Sequence, residues 1–368
     1  SDLNAVPRPS KKESRVIDFM VNFGNTLGLD TCVDSIGNVL IKKPATKGFE
    51  NRKTVVLQSH LDMVHQKNTS TVFDFDTQGI QMLIEGDWVT ANGTTLGADN
   101  GLGVAAIMAV LSSKTIMHPT LEALFTIDEE TGMTGAFGLK KSVLKGDILL
   151  NLDTEEDDEI GIGCAGGIDV TASKTYIEEN IPINTTAFLI SVKGLKGGHS
   201  GMDIHKGFGN ANKLLTRVLF ATFEQYGLQI SEFDGGSLRN AIPREASALV
   251  VIHSNLKTAF LLQTKKLINI IKDEFLIVEP NLTIDIETAF LPKKVMSDGA
   301  QQSFLKAVYG TLNGVYKMSP SVEGLVETSN NIARVFVKKG ICRVECLTRS
   351  SSDSNKNDLV NVITGQEN

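Results

Sequence analysis

Residues 54–64 of the chain, Thr-Val-Val-Leu-Gln-Ser-His-Leu-Asp-Met-Val, join an apolar run to a histidine and an aspartate. The apolar run Thr54–Gln58 predicts a buried strand, and the polar residues of Ser59–Val64 follow the point where that strand ends. In sheets of parallel strands, ligands bind in the crevice beyond the carboxyl ends of the strands. The stretch therefore predicts an α/β fold with a functional site above this edge of the sheet.

Strands and helices continue to alternate on both sides of this stretch, up to about residue 170. Gly101–Leu111 predicts an apolar helix that a glycine turn opens, and a helical stretch begins at Thr134–Leu139. Further strands are predicted at Leu121–Ile127 and Asp147–Leu152. This alternation is typical of a mostly parallel sheet with helices on both faces.

The pattern changes from about Thr186 onward. The predicted elements there are strands at Phe188–Val192, Ala246–His253, Leu282–Ala289, Asn331–Val337 and Ile341–Thr348, and helices at Gly207–Tyr226, Phe260–Phe275 and Gln302–Leu312. Their order suggests an α+β layer, with one sheet and helices on one of its faces. We therefore expect two domains: residues 1–186 form an α/β domain, and residues 187–368 form an α+β domain inserted into it or following it.

The composition narrows the class of protein and its cellular setting. With 41% apolar and 21% charged residues, the 368-residue chain is neither disordered nor fibrous, and its net charge of −7 argues against a partner with a phosphate backbone. Four cysteines are too few for a disulfide framework, and no apolar run reaches the ~18–20 residues of a membrane span. Residues 1–10 do not resemble a secretion signal. We expect a cytoplasmic protein that binds neither nucleic acid nor membranes.

Four segments of the first domain share one design, in which acids or a histidine stand at the end of an apolar strand. They are Ser59–Val64, Thr95–Gly101, Thr126–Gly132 and Asn151–Glu156. Taken singly, each is explained by a capped turn or a solvated acidic face. Together, in chain order at the ends of buried strands, they predict a metal site with nitrogen and oxygen ligands.

Three of these segments resemble the signatures of the M20 metallopeptidases, and more closely those of the aminoacyl-histidine dipeptidases. The matching stretches are His60–Val64, Gly93–Gly101 and Glu129–Gly132. Further motifs extend the resemblance over nearly the whole chain: Gly163–Gly167, Gly194–Gly201, Asn210–Leu215, Arg239–Glu245 and Val326–Asn330. The resemblance implies a catalytic domain with a mostly parallel sheet and an α+β lid domain.

The resemblance also implies two divalent metal ions, with zinc expected and manganese or cobalt as alternatives. Four side chains would hold them: His60, Asp99, Glu130 and Asp153. Asp99 would bridge the two ions. Asp62 would fix the tautomer of His60 through the other ring nitrogen, and Glu129 would be the general base that takes a proton from the attacking water.

In the lid domain the resemblance implies residues that bind a small peptide substrate. His199 would donate a hydrogen bond to the oxyanion that forms during the reaction. Asn240 and Arg349 would bind the polar ends of the substrate, with Arg349 as a fork for its carboxylate, and Asn330 would line the pocket. His199 would act within its own chain or across a homodimer, and we favour the homodimer.

The sequence departs from the family pattern near its carboxyl end. Family members carry one more histidine ligand there, whereas no histidine follows His253 in this chain. We therefore expect the carboxyl-terminal part of the catalytic domain to be absent from residues 1–368. Two explanations stay open: the natural protein is a complete peptidase that is longer than this chain, or it is a shortened, inactive homologue.

The hypothesis from the sequence is a cytosolic metallopeptidase that hydrolyses dipeptides with a free amino terminus. It would prefer a carboxyl-terminal histidine, as in carnosine-like substrates. One alternative is another M20 hydrolase, such as a broad dipeptidase, a tripeptidase or a deacylase. The other is a truncated, non-catalytic homologue that binds metal or peptide.

Overall fold

The computed structural model describes residues 1–67, 71–154, 160–161 and 163–367, and its chain divides into two compact units. Unit 1 is Ser1–Gly161 and unit 2 is Ile162–Asn368. The strands of unit 1 are β1 (Asp30–Val33), β2 (Val39–Lys43), β3 (Val55–His60), β4 (Met82–Glu85), β5 (Trp88–Ala91), β6 (Leu121–Thr126) and β7 (Ile148–Asn151). Its helices are α1 (Ser14–Thr26), α2 (Ala98–Ser112), α3 (Glu129–Gly132) and α4 (Thr134–Gly138).

Unit 1 is built on a five-stranded sheet with the order β1-β2-β6-β3-β7. β3 is parallel to both of its neighbours, as predicted, whereas β2 is antiparallel to β6 and forms a hairpin with β1. His60 pairs with Thr126, and Gln58 pairs with Asn151. The three parallel strands therefore end at one edge of the sheet, which brings together the segments that follow them.

Apolar side chains cover both faces of this sheet. On one face, Met20 of α1 and Ile107 of α2 are fully buried in a cluster with Phe125 of β6. On the other face, Leu124 of β6 packs against the segment 139–144 that follows α4. Burying each of these large side chains contributes ~1.5–3 kcal/mol, so the strands that carry the polar segments are held in place by the core beneath them.

The described part of unit 2, residues 163–367, contains ten strands and four α-helices. The strands are β8 (Gly166–Thr175), β9 (Glu178–Asn180), β10 (Thr185–Lys193), β11 (Gln229–Gly236), β12 (Ala246–His253), β13 (Thr283–Ala289), β14 (Lys294–Met296), β15 (Gly314–Met318), β16 (Val326–Lys338) and β17 (Ile341–Ser350). The helices are α5 (Ala211–Tyr226), α6 (Lys257–Phe275), α7 (Asp298–Gly310) and α8 (Asp353–Glu367). Within the described ranges, no helix combines the length and the apolar composition needed to cross a bilayer.

The main sheet of unit 2 is antiparallel, with the order β13-β10-β12-β11-β16-β17-β8 and β15 paired to β16. The four helices pack on one face of it, as the sequence predicted for α5, α6 and α7, whereas α8 was not predicted. Their buried side chains form one cluster with the sheet: Leu215 and Leu219 of α5, Phe260 of α6, Leu305 of α7 and Leu359 of α8. The α/β class and the α+β second part are both confirmed.

The two units divide at residue 161, whereas the sequence suggested a boundary near Thr186. β8 pairs along its whole length with β17, from Gly166 with Ser350 to Thr175 with Ile341. In the sequence, β8 and β17 stand near the beginning and near the end of unit 2. No local sequence pattern therefore reveals that they pair in the sheet. The segment before Thr186 therefore belongs to the second sheet.

Candidate metal centre and substrate-binding residues

The polar segments of unit 1 meet at the carboxyl edge of its parallel strands. The side chains predicted for the site lie as follows: His60 ends β3, Asp99 is in the first turn of α2, Glu129 and Glu130 open α3 after β6, and Asp153 follows β7. Asp99 has a φ of −82° and a ψ of 115°, so the backbone is not helical there. The last two residues of the fourth segment, Glu155 and Glu156, lie outside the described residues.

Among the described residues, three sets of side chains bring ligand atoms close enough to hold a metal ion: two contain His60, and the third is Glu13, Asp62 and Asp128. The ligand atoms of His60, Asp99 and Glu130 lie within 4.8 Å of one another, and the same is true of His60, Glu129 and Asp153. One imidazole among several carboxylates suits a divalent ion of intermediate hardness, such as zinc, manganese or cobalt. The residues that are present therefore fit a metal centre.

His60 lies at the middle of this cluster and is fully buried. Its Nε2 atom is 3.0 Å from Asp99 Oδ1 and 3.7 Å from Asp153 Oδ1, while Nδ1 is 3.3 Å from Asp62 Oδ1. Burial by itself would lower the pKa of His60, but the carboxylates of Asp62 and Asp99 outweigh it and raise the pKa to about 10. The surroundings of Nε2 thus favour a positive charge, which a metal ion would supply in place of the proton.

Asp62 connects His60 to the two glutamates. Its Oδ1 atom accepts the backbone N–H of Glu129 at 3.0 Å, and Oδ2 accepts the backbone N–H of Glu130 at 3.2 Å and the hydroxyl of Ser10 at 2.8 Å. Burial would raise the pKa of Asp62, but hydrogen bonds from His60 and the Glu129 N–H hold it below its usual value. Asp62 therefore stays ionised and fixes both the His60 ring and the start of α3.

Of the four remaining acids, Glu129, Glu130 and Asp153 lie in surroundings that disfavour their negative charge. Burial, reinforced by the charge of Asp99, raises the pKa of Glu130 to about 7. Burial also raises the pKa of Glu129 and that of Asp153. A hydrogen bond from His60 holds the pKa of Asp99 below its usual value. Carboxylates that repel one another in this way are stabilised together by a shared cation.

The sequence predicted the supporting role of Asp62, but not those of Asn100 and Glu13. Asn100 donates to Asp153 Oδ1 at 2.8 Å and to the Leu152 carbonyl at 3.0 Å, which fixes the direction of the Asp153 carboxylate. Glu13 accepts the backbone N–H of Asp128 at 3.1 Å. The motif around Asn100 was recognised, but its side chain had no assigned role. Only the three-dimensional contacts show what it binds.

In unit 2, His199 and Arg349 place their side chains next to each other. Arg349 Nη2 lies 3.4 Å from His199 Nε2, and Arg349 Nε lies 3.4 Å from Ser200 Oγ. The backbone N–H of Met202 donates to His199 Nδ1 at 3.1 Å, so the neutral ring carries its proton on Nε2. Nε2–H and the guanidinium are then both donors, an arrangement that suits an anionic oxygen.

The other two predicted substrate residues are placed differently. The carbonyl of Asn240 accepts the backbone N–H of Ser200 at 2.7 Å, so Asn240 adjoins the loop that carries His199. Asn330 is fully buried, and its amide donates to the Leu312 carbonyl at 2.7 Å and accepts from Thr348 Oγ1 at 3.0 Å. Its amide therefore links β16 to β17 and to the segment before β15. That Asn330 lines a substrate pocket stays a prediction.

Comparisons with known proteins agree with this fold. Residues 190–277 match the family model described as the peptidase dimerisation domain. The chain is 44% identical over 363 residues to the cytosol non-specific dipeptidase of Escherichia coli (strain K12), covering 98% of this chain and 74% of that protein. It also matches the crystal structure of aminoacylhistidine dipeptidase from Vibrio alginolyticus, with a TM-score of 0.67, 44% identity, and coverage of 100% of this chain and 75% of that one.

The chain therefore belongs to the M20 peptidase family, and the resemblance noted in its sequence is confirmed. It is a peptide hydrolase. Within the family it is similar to the Escherichia coli and Vibrio alginolyticus dipeptidases, and it spans about three quarters of the length of each.

Proposed function

We propose that the protein is a cytoplasmic dipeptidase that uses divalent metal ions held by His60, Asp99, Glu130 and Asp153. The observation that carries this proposal is the convergence of the His60 imidazole with two sets of carboxylates within 4.8 Å, in a chain of the M20 family. Two zinc ions are the expected complement. When bound, such ions lower the pKa of a coordinated water and polarise the carbonyl of the scissile bond.

Glu129 is the general base in this proposal. Its backbone N–H is fixed by Asp62, and its side chain lies beside His60 and Asp153 without belonging to the set of His60, Asp99 and Glu130. Its carboxylate accepts a proton from the attacking water and passes it to the leaving amine. Burial raises the pKa of Glu129, which strengthens it as a base.

The donors of unit 2 are proposed to bind the peptide. His199 Nε2–H and the Arg349 guanidinium suit either the terminal carboxylate of a dipeptide or the oxyanion that forms on its carbonyl. The match to a dimerisation domain supports a homodimer.

For the substrate, we propose dipeptides with a free amino terminus and a preference for carboxyl-terminal histidine. A broad dipeptidase is the second candidate, because the Escherichia coli relative is named non-specific. The test is to load the protein with zinc, manganese or cobalt and measure amino acids released from matched pairs such as Ala-His and Ala-Ala. Faster release of histidine supports the preference. Equal rates support the broad enzyme, and no hydrolysis by any metal-loaded form contradicts both.

A further inference from the structure

Arg8 is the largest fully buried side chain among the described residues, with 1% of its surface exposed. It precedes α1 in a segment to which the sequence analysis assigned no function. Burying a guanidinium is costly unless its donors find acceptors and its charge finds opposite charge. The partners of Arg8 therefore indicate what the residue does.

The two terminal nitrogens of Arg8 bind two different loops. Nη1 donates to the carbonyls of Leu61 at 3.0 Å and Asp62 at 3.1 Å. Nη2 donates to the carbonyl of Gly97 at 2.5 Å and to Asn4 Oδ1 at 3.1 Å. One rigid fork thus connects the loop after β3 with the loop before α2.

Each of these loops carries a proposed metal ligand close to the point where Arg8 binds. Leu61 is the residue after His60, and Gly97 lies two residues before Asp99. His60 Nε2 and Asp99 Oδ1 are 3.0 Å apart, so small displacements of either loop would change the distance between the two ligand atoms. Arg8 is placed to fix that distance.

Glycines make room for the guanidinium. A Cβ atom at Gly97 would lie 2.6 Å from Arg8 Nη2, and one at Gly101 would lie 2.9 Å from it. Gly97 also has a φ of 70°, in the left-handed region that favours glycine. The loop before α2 therefore fits closely around the fork of Arg8.

The charge of Arg8 also complements the cluster. Burial lowers the pKa of Arg8 to about 10, while the carboxylates of Asp62, Asp99 and Glu130 act to raise it. The guanidinium consequently remains protonated at neutral pH. It offsets part of the repulsion among these carboxylates.

We propose that Arg8 is a positioning residue, which ties the His60 loop to the Asp99 loop and so sets the geometry of the metal centre. This inference rests on the metal centre of the proposed function. A lysine would keep the positive charge but could not reproduce the planar fork, because its donors all radiate from a single nitrogen. Arg8→Lys therefore separates geometry from charge.

The experiment titrates the full chain with cobalt(II), whose visible absorption reports both binding and coordination geometry. Arg8→Lys is expected to weaken cobalt binding about 10–100-fold and to change the absorption spectrum, as loss of a residue that orients metal ligands does. Asn4→Ala removes one acceptor of Nη2 and leaves Arg8 in place, so a smaller change in the same direction is expected. Arg52→Lys, at an exposed arginine of unit 1, is the matched control.

Met20→Ala serves as a second control, because it removes a fully buried apolar side chain from the core of unit 1. It is expected to lower the melting temperature without changing cobalt affinity or the spectrum. If Arg8→Lys folds and binds cobalt with wild-type affinity and spectrum, the inference about Arg8 is wrong, while the proposed metal centre is unaffected. If Arg8→Lys does not fold, the inference is tested with Asn4→Ala instead. A cobalt titration of Asn4→Ala that matches wild type then overturns the inference. A wild-type protein that binds no cobalt would overturn the metal centre itself.

Discussion

Glu129 and Glu130 are adjacent in sequence, yet in the proposed mechanism Glu129 is the general base and Glu130 is a metal ligand. Glu129→Gln keeps the size of the side chain and removes its ability to accept a proton. Turnover of dipeptides is expected to fall about 10²–10⁴-fold, the usual contribution of a general base. Metal content, measured by elemental analysis after dialysis, is expected to stay close to wild type.

Glu85→Gln is the control for this prediction, because Glu85 is an exposed glutamate of the same unit. It should change neither turnover nor metal content. Loss of metal in Glu129→Gln would instead make Glu129 a ligand, consistent with its place in the set with His60 and Asp153.

Arg349 is expected to act in substrate binding through its planar fork. Arg349→Lys retains the charge but loses the two-pronged contact with a carboxylate, so KM should rise about tenfold or more with a smaller change in kcat. Arg343→Lys is the matched control on β17, where Arg343 is exposed and pairs with Glu345 at 3.0 Å. Steady-state kinetics with one dipeptide separate the two parameters. An equal rise of KM in Arg349→Lys and Arg343→Lys would argue against a role of Arg349 in substrate binding.

At the scale of single residues, sequence reasoning identified the side chains that carry chemistry better than those that support them. His60, Asp99 and Glu130 stand in recognisable motifs, and the fold brings them together. Arg8 was not recognisable, because three of its four acceptors are backbone carbonyls of two loops that are far from it in sequence, and only the fourth, Asn4 Oδ1, is nearby. Every residue has a backbone carbonyl, so a side chain that binds carbonyls has no characteristic partner residue that the sequence could reveal.

At the scale of elements, apolar runs predicted β3, α2 and β6 well, but polar caps and buried polar strands were misread. The predicted helix Gly207–Tyr226 begins at Ala211, because Asn210 caps it by accepting the backbone N–H of Lys213 at 3.2 Å. β16 begins at Val326, earlier than the predicted Asn331. The five residues after Val326 are polar yet buried. The Thr328 hydroxyl and the Asn330 amide are hydrogen-bonded to β17, and a polar run of this kind does not predict a strand.

The hairpin between β1 and β2 depends on one aspartate. Asp34 Oδ1 accepts the backbone N–H groups of Ile36, Gly37 and Asn38, each at 2.9 Å, and Oδ2 accepts the Asn38 amide at 2.8 Å. Partial burial would raise the pKa of Asp34, but the hydrogen bonds from Asn38 and the backbone outweigh it and lower the pKa. Asp34→Ala is therefore expected to lower the free energy of unfolding by ~1–2 kcal/mol at neutral pH.

The effect of this substitution should depend on pH with a definite sign. Because the pKa of Asp34 is lower in the folded than in the unfolded chain, its contribution is present above the unfolded value of about 4 and is lost as the pH falls through the folded value. Urea unfolding at pH 7 and at pH 3 should show the difference between wild type and Asp34→Ala shrinking at the lower pH. Asp34→Asn, which keeps one acceptor oxygen, should destabilise less. A difference that is independent of pH would contradict this account.

At the scale of the whole molecule, the proposed metal ligands all belong to unit 1. A ligand that binds only the folded state stabilises it by about 2.7 kcal/mol when its free concentration is 100 times Kd. Adding zinc to chelator-treated protein should thus slow amide hydrogen exchange in β3 and β6 of unit 1. Exchange in β10 and β12 of unit 2 serves as the internal control. An equal slowing in both units would show either that the two units unfold together or that metal also binds in unit 2.

The division of the chain into two units also separates its chromophores. The single tryptophan, Trp88, lies in β5 of unit 1, whereas all four tyrosines belong to unit 2: Tyr176, Tyr226, Tyr309 and Tyr316. Light at the red edge of the aromatic absorption band excites only the indole, while tyrosine emission comes only from the other unit. Each unit of the native chain thus carries its own optical label, with no dye or substitution required.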